Sequence, residues 1–396
     1  MDSLRPRLCI VAHSAELYGA DRCLHAALPE LVAHFDVTVA VPADGDGVGI
    51  MRALGAEVLL LPDYALRRRH LTPRGVFPWL ARVRSATSTL KEAHRDRPIT
   101  LVNSNTLAAG IGPLLRKSFG VAHAVHVHEC PNEPAWLPRV LLAMLAHGAD
   151  LAICNSYYSA NWVNSNRPDF AAKTVVVHNG LDLVAAPLHP PTRGTALTLS
   201  CVARIHPKKG HPVLFEAMRL AHLDGRKWVL HLFGDTLDEH IPIRDELVSF
   251  SERHGFAQSV VWHGFVDNVQ RQYESADIAI VPSVIPEEFS LVCLEAQSMM
   301  VPVIATGPGG ASEVVDDGVT GIIVAPNDAA ALFEAICSIE DDVGAAHEMG
   351  RQGRERAELK FSRQAFAHGV VDQLVSLAAS PSPTTTEHAR ATAAER

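Results

Sequence analysis

The stretch that decides the fold is residues 281–321, VPSVIPEEFSLVCLEAQSMMVPVIATGPGGASEVVDDGVTG. An apolar run ends at Pro282, a polar loop follows, and a segment of helical spacing opens near Ser290. A second apolar run, 302–305, leads through a glycine-rich turn to another helical segment and to a third run at 321–324. Short buried strands that alternate with helices are typical of parallel sheets. The stretch therefore predicts successive βαβ units.

The same alternation extends over most of the chain. The runs that we interpret as strands are 7–12, 36–41, 57–61, 99–103, 121–127, 150–154, 174–178, 197–203, 228–233, 260–263, 277–282, 302–305 and 321–324. The predicted fold class is α/β, with two doubly wound, Rossmann-like domains in series. The glycines of the segment 43–49 have the wrong spacing for a dinucleotide fingerprint, and we interpret that segment as a flexible loop.

A proline-rich stretch without periodicity, 187–194, predicts a linker between an N-terminal domain, 1–186, and a C-terminal domain, 195–362. The segment 363–379 is apolar on one face, and we expect it to return to the N-terminal domain. The small, polar tail, 380–396, predicts disorder. Ligands of such sheets bind outside the carboxyl ends of the strands, which predicts a site in a cleft between the domains.

Composition excludes several classes of protein. The 396 residues are 47% hydrophobic and 20% charged, so a wholly disordered or fibrous chain is excluded. The net charge of −9 argues against a nucleic-acid partner. No apolar run approaches the roughly 20 residues of a membrane span, and the N-terminus has no secretory pattern. The seven cysteines are scattered without a C-x-x-C pair, which favours a cytoplasmic location.

Acidic residues follow the strand that ends at Pro282. Glu287 and Glu288 lie in the loop, and Glu295 lies on the next helix. Carboxylates there can accept hydrogen bonds from sugar hydroxyls, although for either glutamate alone a surface charge is the favoured explanation. The glycines of 306–310 precede a helix whose free N–H groups can face an anion, although most such turns are only tight turns.

Basic residues follow another predicted strand end, in CVARIHPKKG. Arg204 and Lys209 can clamp a diphosphate there, although a solvated loop explains them equally well. In the first strand-to-helix turn, Gly19 lies where backbone N–H groups can approach a phosphate. His126 and His128 lie on one side of a strand, but no third metal ligand is identifiable. We expect one histidine to pack and His128 to face the cleft.

Taken in order, these motifs resemble those of the retaining glycosyltransferases of family 4, which have the GT-B fold of two facing Rossmann-like domains. YGADRCL, from Tyr18, is similar to that family's G-G-x-E-R-x-L, and HVHE lies at the position of its active-site histidine. VARIHPKKG is similar to G-R-L-x-P-x-K-G, with Ala203 in place of the first glycine. EEFSLVCLEA is similar to E-P-F-G-L-x-x-L-E-A, with Glu288 for proline and Ser290 for glycine.

The resemblance implies transfer of a sugar from a nucleotide-diphosphate sugar with retention and without a metal or other cofactor. The catalytic residues that it implies are His128, Glu287, Arg204 and Lys209. The donor diphosphate is expected at Gly19, Arg204, Lys209, Ser290 and Leu291, the ribose and sugar at Glu295, Glu287 and Phe289, and the base near Gly234, Gly264 and Phe265. Spacing alone leaves open whether Glu287 or Glu288 enters the site.

Two alternatives stay open. One is a non-catalytic protein that binds nucleotide sugars with the same fold. The other is an enzyme of this architecture with different chemistry, such as a nucleotide-sugar epimerase or a relative of glycogen or sucrose synthase. A turnover assay distinguishes these classes.

The segment 66–97 holds many more cations than acids, with Phe77 and Trp79 among them. A basic segment with aromatic anchors can lie on an anionic bilayer, although a solvated helix face is an equally ordinary explanation. The membrane or acceptor contacts predicted here are Arg67, Arg68, Arg69, Arg74 and Trp79. The expected acceptor is a glycan or a lipid-linked saccharide of the cell envelope, met at the inner face of the plasma membrane.

Overall fold

A computed structural model of the chain describes residues 5–16, 19–70, 72–184 and 194–380. It divides into two compact units. Unit 1 contains the described residues up to Gly180 and from Arg363 onwards, and unit 2 is Leu181–Ser362.

Unit 1 is built on a seven-stranded sheet in the order β3-β2-β1-β4-β5-β6-β7. Every neighbouring pair is parallel. Its strands are β1 (Arg7–Val11), β2 (Asp36–Val41), β3 (Glu57–Leu60), β4 (Leu101–Ser104), β5 (Ala122–Val127), β6 (Leu151–Cys154) and β7 (Thr174–Val176). The α-helices of the first part of the chain are α1 (Gly19–His34), α2 (Asp46–Ala53), α3 (Pro73–Ala93), α4 (Gly112–Phe119), α5 (Leu137–Gly148) and α6 (Tyr157–Asn166).

Unit 2 is built on a six-stranded parallel sheet in the order β10-β9-β8-β11-β12-β13. Its strands are β8 (Leu197–Val202), β9 (Trp228–Phe233), β10 (Val260–Gly264), β11 (Ile278–Val281), β12 (Val303–Thr306) and β13 (Gly321–Val324). The remaining α-helices are α7 (His211–Leu223), α8 (Ile241–Arg253), α9 (Val269–Tyr273), α10 (Leu291–Ser298), α11 (Ala311–Val314), α12 (Ala329–Asp341), α13 (Val343–Lys360) and α14 (Arg363–Ala379).

Both sheets are covered on two faces, which explains their nearly continuous apolar strands. In β1, Leu8 and Ile10 join the core under α1 and α14, while Cys9 and Val11 join the core on the opposite face. The alternation follows from the two-residue period of a strand. Helix α14 belongs to unit 1 because Phe366 and its neighbours pack into the first of these cores.

The prediction of two parallel α/β domains is confirmed, and every predicted strand is present with ends that differ by at most two residues. The interpretation of 43–49 as a flexible loop is wrong in its second half, because α2 begins at Asp46. Gly45 and Gly47 allow close packing there: a Cβ on Gly47 would lie 2.8 Å from the Ala15 carbonyl oxygen, to which the Gly47 N–H donates.

The division between the units falls after Gly180, not after residue 186 as predicted. The reason is that Leu181 packs into the unit 2 core and its N–H donates to the Phe361 carbonyl. The predicted linker, 187–194, lies outside the described residues except for its last residue, as does the predicted disordered tail except for Ser380. Among the described helices, none has the combination of length and apolar composition needed to cross a bilayer.

Candidate functional site

The strand order of unit 2 creates a switch point between β8 and β11. From β8 the chain runs outwards through β9 to β10, and it then returns to β11 on the other side of β8. Loops that follow two such strands diverge and leave a crevice at the carboxyl edge of the sheet. Arg204 and Lys209 follow β8, and Ser283 and Glu287 follow β11, so the predicted basic and acidic motifs meet at this point.

The centre of this site is an ion pair between Lys209 and Glu287. Lys209 Nζ donates to Glu287 Oε1 at 2.6 Å, and Ser283 Oγ donates to the same oxygen at 2.6 Å. The side chains are 34% and 19% exposed, so water reaches the lysine more than the carboxylate. Burial alone would raise the pKa of Glu287, but the nearby ammonium and the hydrogen bonds from Lys209, Ser283 and Ser290 outweigh it and lower the pKa.

The loop after β8 reaches the loop after β11 because Gly210 allows close contact. Gly210 has φ +70°, and a Cβ there would lie 1.8 Å from the Pro282 carbonyl oxygen. Only glycine fits both the left-handed backbone and this approach. The resulting contact places Lys209 against the segment that carries Glu287.

The segment of Glu287 is held from its other side by the glycine-rich turn. The Gly310 N–H donates to the Glu287 carbonyl at 2.6 Å, and a Cβ on Gly310 would lie 2.1 Å from the Glu288 carbonyl oxygen. Helix α10 then begins at Leu291 with Ser290 as its N-cap, whose hydroxyl accepts from the Cys293 N–H. The structure thus brings together Glu287, Ser290 and the first backbone amides of α10, and it is Glu287 rather than Glu288 that meets Lys209.

The helix that follows Gly310 is shorter than the sequence suggested. Helix α11 has only four residues, so its dipole, which was expected to favour an anion at this turn, is weak. The contact that the structure shows for the glycine-rich turn is its packing against the Glu287 segment, and anion binding at the turn stays a prediction.

The other residues predicted to contact the donor differ in their exposure. Arg204 is exposed, and among the described residues its guanidinium has no hydrogen-bond or ion-pair partner. Glu295 is buried on α10, close enough to Tyr273 to raise the pKa of that phenol beyond the effect of burial. The Phe289 ring is buried and packs edge-on against Phe361 at 5.8 Å, and the sugar contact expected of this residue stays a prediction.

The two loops predicted to lie near the base are adjacent at the carboxyl ends of β9 and β10. The Gly234 N–H donates to the Gly264 carbonyl at 2.8 Å, and a Cβ on Gly234 would lie 2.1 Å from the Ala203 carbonyl oxygen. Phe265 is 73% exposed beside them. Gly234 therefore holds these loops together beside Arg204, and Phe265 is free to stack on a planar ring.

Unit 1 has its own switch point, between β1 and β4. Gly19 is exposed as the first residue of α1, while Asp21 is buried and accepts a hydrogen bond from Ser14 Oγ at 2.7 Å. His128 follows the end of β5 on the same edge, as predicted from the sequence. Burial, followed by the nearby His13, lowers the pKa of His128 to about 4, so its imidazole is neutral near pH 7.

The predicted membrane contact of Trp79, in the basic segment, is wrong. This side chain is 9% exposed within the core under α3, and its indole N–H donates to the Tyr64 carbonyl at 2.8 Å. It cannot anchor the chain to a membrane. Arg67 and Arg69 both pair with Asp63, at 3.7 and 2.9 Å, which offsets part of their charge.

A different set of side chains is exposed on α3. Arg74, Phe77, Arg84 and Lys91 recur at helical spacing on its solvent side, and Phe77 is 75% exposed. The side chain of Arg68 lies outside the described part. This exposed set is called the α3 stripe below.

Sequence reasoning missed Ser283, which donates to Glu287, and Gly210, which positions Lys209. The signal for Ser283 was available, because a polar residue directly follows the strand end at Pro282. The described residues contain no group of three or more histidine, cysteine or acidic side chains placed to hold a metal ion.

Two family models match this chain. Residues 196–342 match the family model described as glycosyl transferases group 1, and residues 18–184 match that of glycosyltransferase family 4. The chain belongs to these glycosyltransferases. The two matches divide at the same region as the two units.

Curated relatives carry several substrates in their names. D-inositol 3-phosphate glycosyltransferase of Mycolicibacterium smegmatis is 28% identical over 358 residues, 86% of this chain and 73% of that protein. Glycogen synthase of Mycobacterium tuberculosis is 30% identical over 201 residues, 50% of this chain and 47% of that protein. A lipopolysaccharide core mannosyltransferase of Rhizobium leguminosarum is 28% identical over 208 residues, 50% of this chain and 58% of that protein. The chain thus spans about half the length of the glycogen synthase and of the mannosyltransferase.

Solved structures share the fold over nearly the whole chain. Anabaena HepE, solved with UDP, superposes with a TM-score of 0.78 at 21% identity, covering 94% of this chain and 100% of that one. Sucrose-phosphate synthase of Thermosynechococcus elongatus gives 0.74 at 22% identity, covering 94% and 99%. The two Rossmann-like units are those of the GT-B fold.

Proposed function

We propose that this protein transfers a sugar from a nucleotide-diphosphate sugar to a glycan or lipid-linked acceptor, with retention of the anomeric configuration. The observation that carries the proposal is the pairing of Lys209 with Glu287 at the switch point of unit 2, with Arg204 exposed on the same edge. Family membership supports the reaction class, and the name of a structural neighbour solved with UDP supports a nucleoside diphosphate as the leaving group.

In the proposed reaction the bond between the anomeric carbon and the diphosphate oxygen breaks, and its electron pair leaves with the diphosphate. Arg204 and Lys209 neutralise this charge, and the first amides of α10, at Leu291, add hydrogen-bond donors. The acceptor oxygen attacks from the face that the leaving group vacates, and its proton passes to a leaving phosphate oxygen. Because two cations stabilise the charge, no metal is required in this proposal.

Glu287 has two tasks in the proposal. It holds Lys209 in place before the donor binds, and it accepts hydrogen bonds from donor-sugar hydroxyls once the ammonium turns towards the diphosphate. The lowered pKa of Glu287 keeps it ionised while it holds Lys209. Glu295 is assigned to the ribose, and His128 to a donor-sugar hydroxyl. These assignments extend the motif pattern of the family.

The proposed acceptor is an envelope saccharide. The name of the lipopolysaccharide mannosyltransferase supports a lipid-linked acceptor, and the α3 stripe supports contact with an anionic bilayer. Each cation near such a surface contributes about 1 kcal/mol of binding free energy. We expect sedimentation with anionic vesicles, not with zwitterionic ones, and weaker sedimentation after Arg74→Gln with Arg84→Gln. Sedimentation that this double variant leaves unchanged would remove the membrane from the proposal.

The test of donor binding is thermal unfolding with UDP, GDP, ADP and their sugars, without added metal. A ligand at 100 times its dissociation constant stabilises the folded state by about 2.7 kcal/mol. Arg204→Ala should abolish the shift, whereas Lys208→Ala, which removes an exposed cation from the same loop, should leave it unchanged. Equal shifts in both variants would refute the diphosphate clamp.

Turnover is tested separately, by release of the nucleoside diphosphate with a panel of polyol phosphates, α-glucans and lipid-linked saccharides. The configuration of the product is read by NMR spectroscopy. A thermal shift without release for any acceptor would favour the non-catalytic alternative. Release with inversion would contradict the retaining mechanism while leaving the donor site intact.

A further inference from the structure

The face of the unit 1 sheet that packs against α1 and α14 is apolar except for one polar cluster. Asn103 lies on β4 on the side of Leu101, and His126 lies on β5 on the side of Ala124. His128 continues the same side just beyond the end of β5. We call Asn103, His126 and His128 the buried polar cluster.

Three atoms of this cluster are buried without a partner. Among the described residues, nothing bonds to Asn103 Oδ1, His126 Nε2 or His128 Nε2. Asn103 is 2% and His126 5% exposed, and the two imidazoles stack with centroids 5.6 Å apart. A buried polar atom that stays unsatisfied costs about 1–3 kcal/mol, and such atoms are usually satisfied by protein groups or by ordered water.

The three side chains line one small pocket. Its volume is about 10 Å³, Asn105 completes its polar side, and Phe366 and Val370 of α14 close it. A water molecule needs a site of about 10–15 Å³ with two to four polar partners. The pocket meets the lower limit of size, and each of the three side chains that line it has an atom that needs a partner.

Both histidines are neutral in this setting. Burial lowers the pKa of His126 to about 3 and that of His128 to about 4. A neutral imidazole has one N–H donor and one acceptor nitrogen, and Asn103 Oδ1 only accepts. A water molecule satisfies all three atoms when it donates to Asn103 and to one histidine and accepts from the other. The two histidines then have opposite tautomers.

We propose that one buried water joins Asn103, His126 and His128, and that Asn103 and His126 are positioning residues that set the tautomer and ring orientation of His128. The water and the tautomers follow from unit 1 alone, while the consequence for catalysis rests on the proposed function. Helix α14 takes part because Phe366 and Val370 close the pocket.

The first test is made on the full chain without substitution. A crystal structure at high resolution should show an ordered water about 2.7–3.2 Å from Asn103 Oδ1 and from both Nε2 atoms. Long-range ¹H–¹⁵N spectra of histidine side chains should show opposite tautomers for His126 and His128, assigned by the loss of each signal in His126→Phe and His128→Gln. A dry pocket or identical tautomers would overturn the proposal.

The second test uses Asn103→Leu, which keeps the volume and removes the acceptor. We expect the His128 ¹⁵N shifts to change and kcat to fall about tenfold or more at unchanged donor KM, as for a misplaced catalytic group. The matched control is His123→Phe, because His123 is buried on the same strand but faces away, with its nitrogens paired to Ser104 and Gly148. Unchanged His128 shifts in Asn103→Leu would refute the positioning role. If the His128 shifts change but the unsubstituted protein shows no turnover, the proposed function fails and the proposed water and tautomers stand.

Discussion

Breaking the ion pair between Lys209 and Glu287 tests the central feature of the unit 2 site. The variant is Lys209→Met, which keeps the length of the side chain and removes the ammonium. Glu287 then keeps its charge with 19% exposure and with hydroxyl donors such as Ser283 in place of an ammonium. We expect a lower free energy of unfolding of unit 2 at pH 7.

The magnitude follows from the exposure of the two partners. Removing one partner of a fully buried ion pair costs about 3–5 kcal/mol, and a hydrogen bond to a charged group contributes about 1.5–3 kcal/mol. Lys209 is 34% exposed, so water already screens part of the attraction. We therefore expect a loss of about 1–3 kcal/mol, below the range of a fully buried pair.

The pH dependence identifies the carboxylate as the cause. In the wild type the pKa of Glu287 lies below its ordinary value of 4.5, so the pair adds stability that is present above this pH and is lost as the pH falls through the folded pKa. In Lys209→Met the effect of burial is no longer opposed by the ammonium, and the pKa rises. The difference between wild type and variant should therefore be largest near pH 7 and should shrink below about pH 4.5.

The assay is urea unfolding followed by hydrogen exchange of the α10 amides, which reports unit 2 separately from unit 1. Lys208→Met is the matched control, because it removes an exposed cation one residue away. A double-mutant cycle with Glu287→Gln should give a coupling of at least about 1 kcal/mol. A coupling near zero, a loss that is equal at pH 7 and pH 4, or equal losses in the two lysine variants would refute the reasoning.

The remaining predictions concern packing and surface contacts. Gly310→Ala should cost about 1–3 kcal/mol of stability, because its Cβ would lie 2.1 Å from a backbone oxygen. Gly49→Ala in α2 should gain up to about 1 kcal/mol, because its Cβ would meet nothing within 4 Å. Thermal unfolding compares the two variants, and equal effects would contradict the close packing at Gly310. Trp79→Phe should lose about 1 kcal/mol with its hydrogen bond to Tyr64 yet leave vesicle sedimentation unchanged, while Phe77→Ser should weaken sedimentation without loss of stability. The reverse pattern would return Trp79 to the membrane contact.

Much of this fold was predictable from local sequence patterns, and the elements that these patterns missed have physical explanations. The strands were predictable because both faces of each sheet are covered, which makes apolar runs short and continuous. Helix α13 was not predicted, since its buried face consists of small residues: Ala346, Gly350, Gly353 and Ala357. Small residues add little to an apolar pattern, but a Cβ on Gly350 would lie 1.9 Å from the Met300 carbonyl oxygen. Close packing, not hydrophobicity, selects this face.

The aromatic residues show a second limit. Phe289 lies in a motif associated with the donor, and Trp79 lies among cations, yet both rings are buried. Position in a motif does not state which way a side chain points. That direction depends on neighbours such as Phe361 and Tyr64, which are distant in sequence.

The order of strands, helices and motifs in this protein is determined by local features of the sequence. These are the spacing of apolar residues, the positions of glycine and proline, and the polar residues at strand ends. These act over a few residues, so the sequence alone was sufficient to infer two parallel sheets and the family they resemble. The pairing of Lys209 with Glu287, 78 residues apart, and the grouping of Asn103 with His126 and His128 were decided by the tertiary structure. Both depend on which strands become neighbours and on how closely loops and helices approach, and these properties arise only when the sheets assemble.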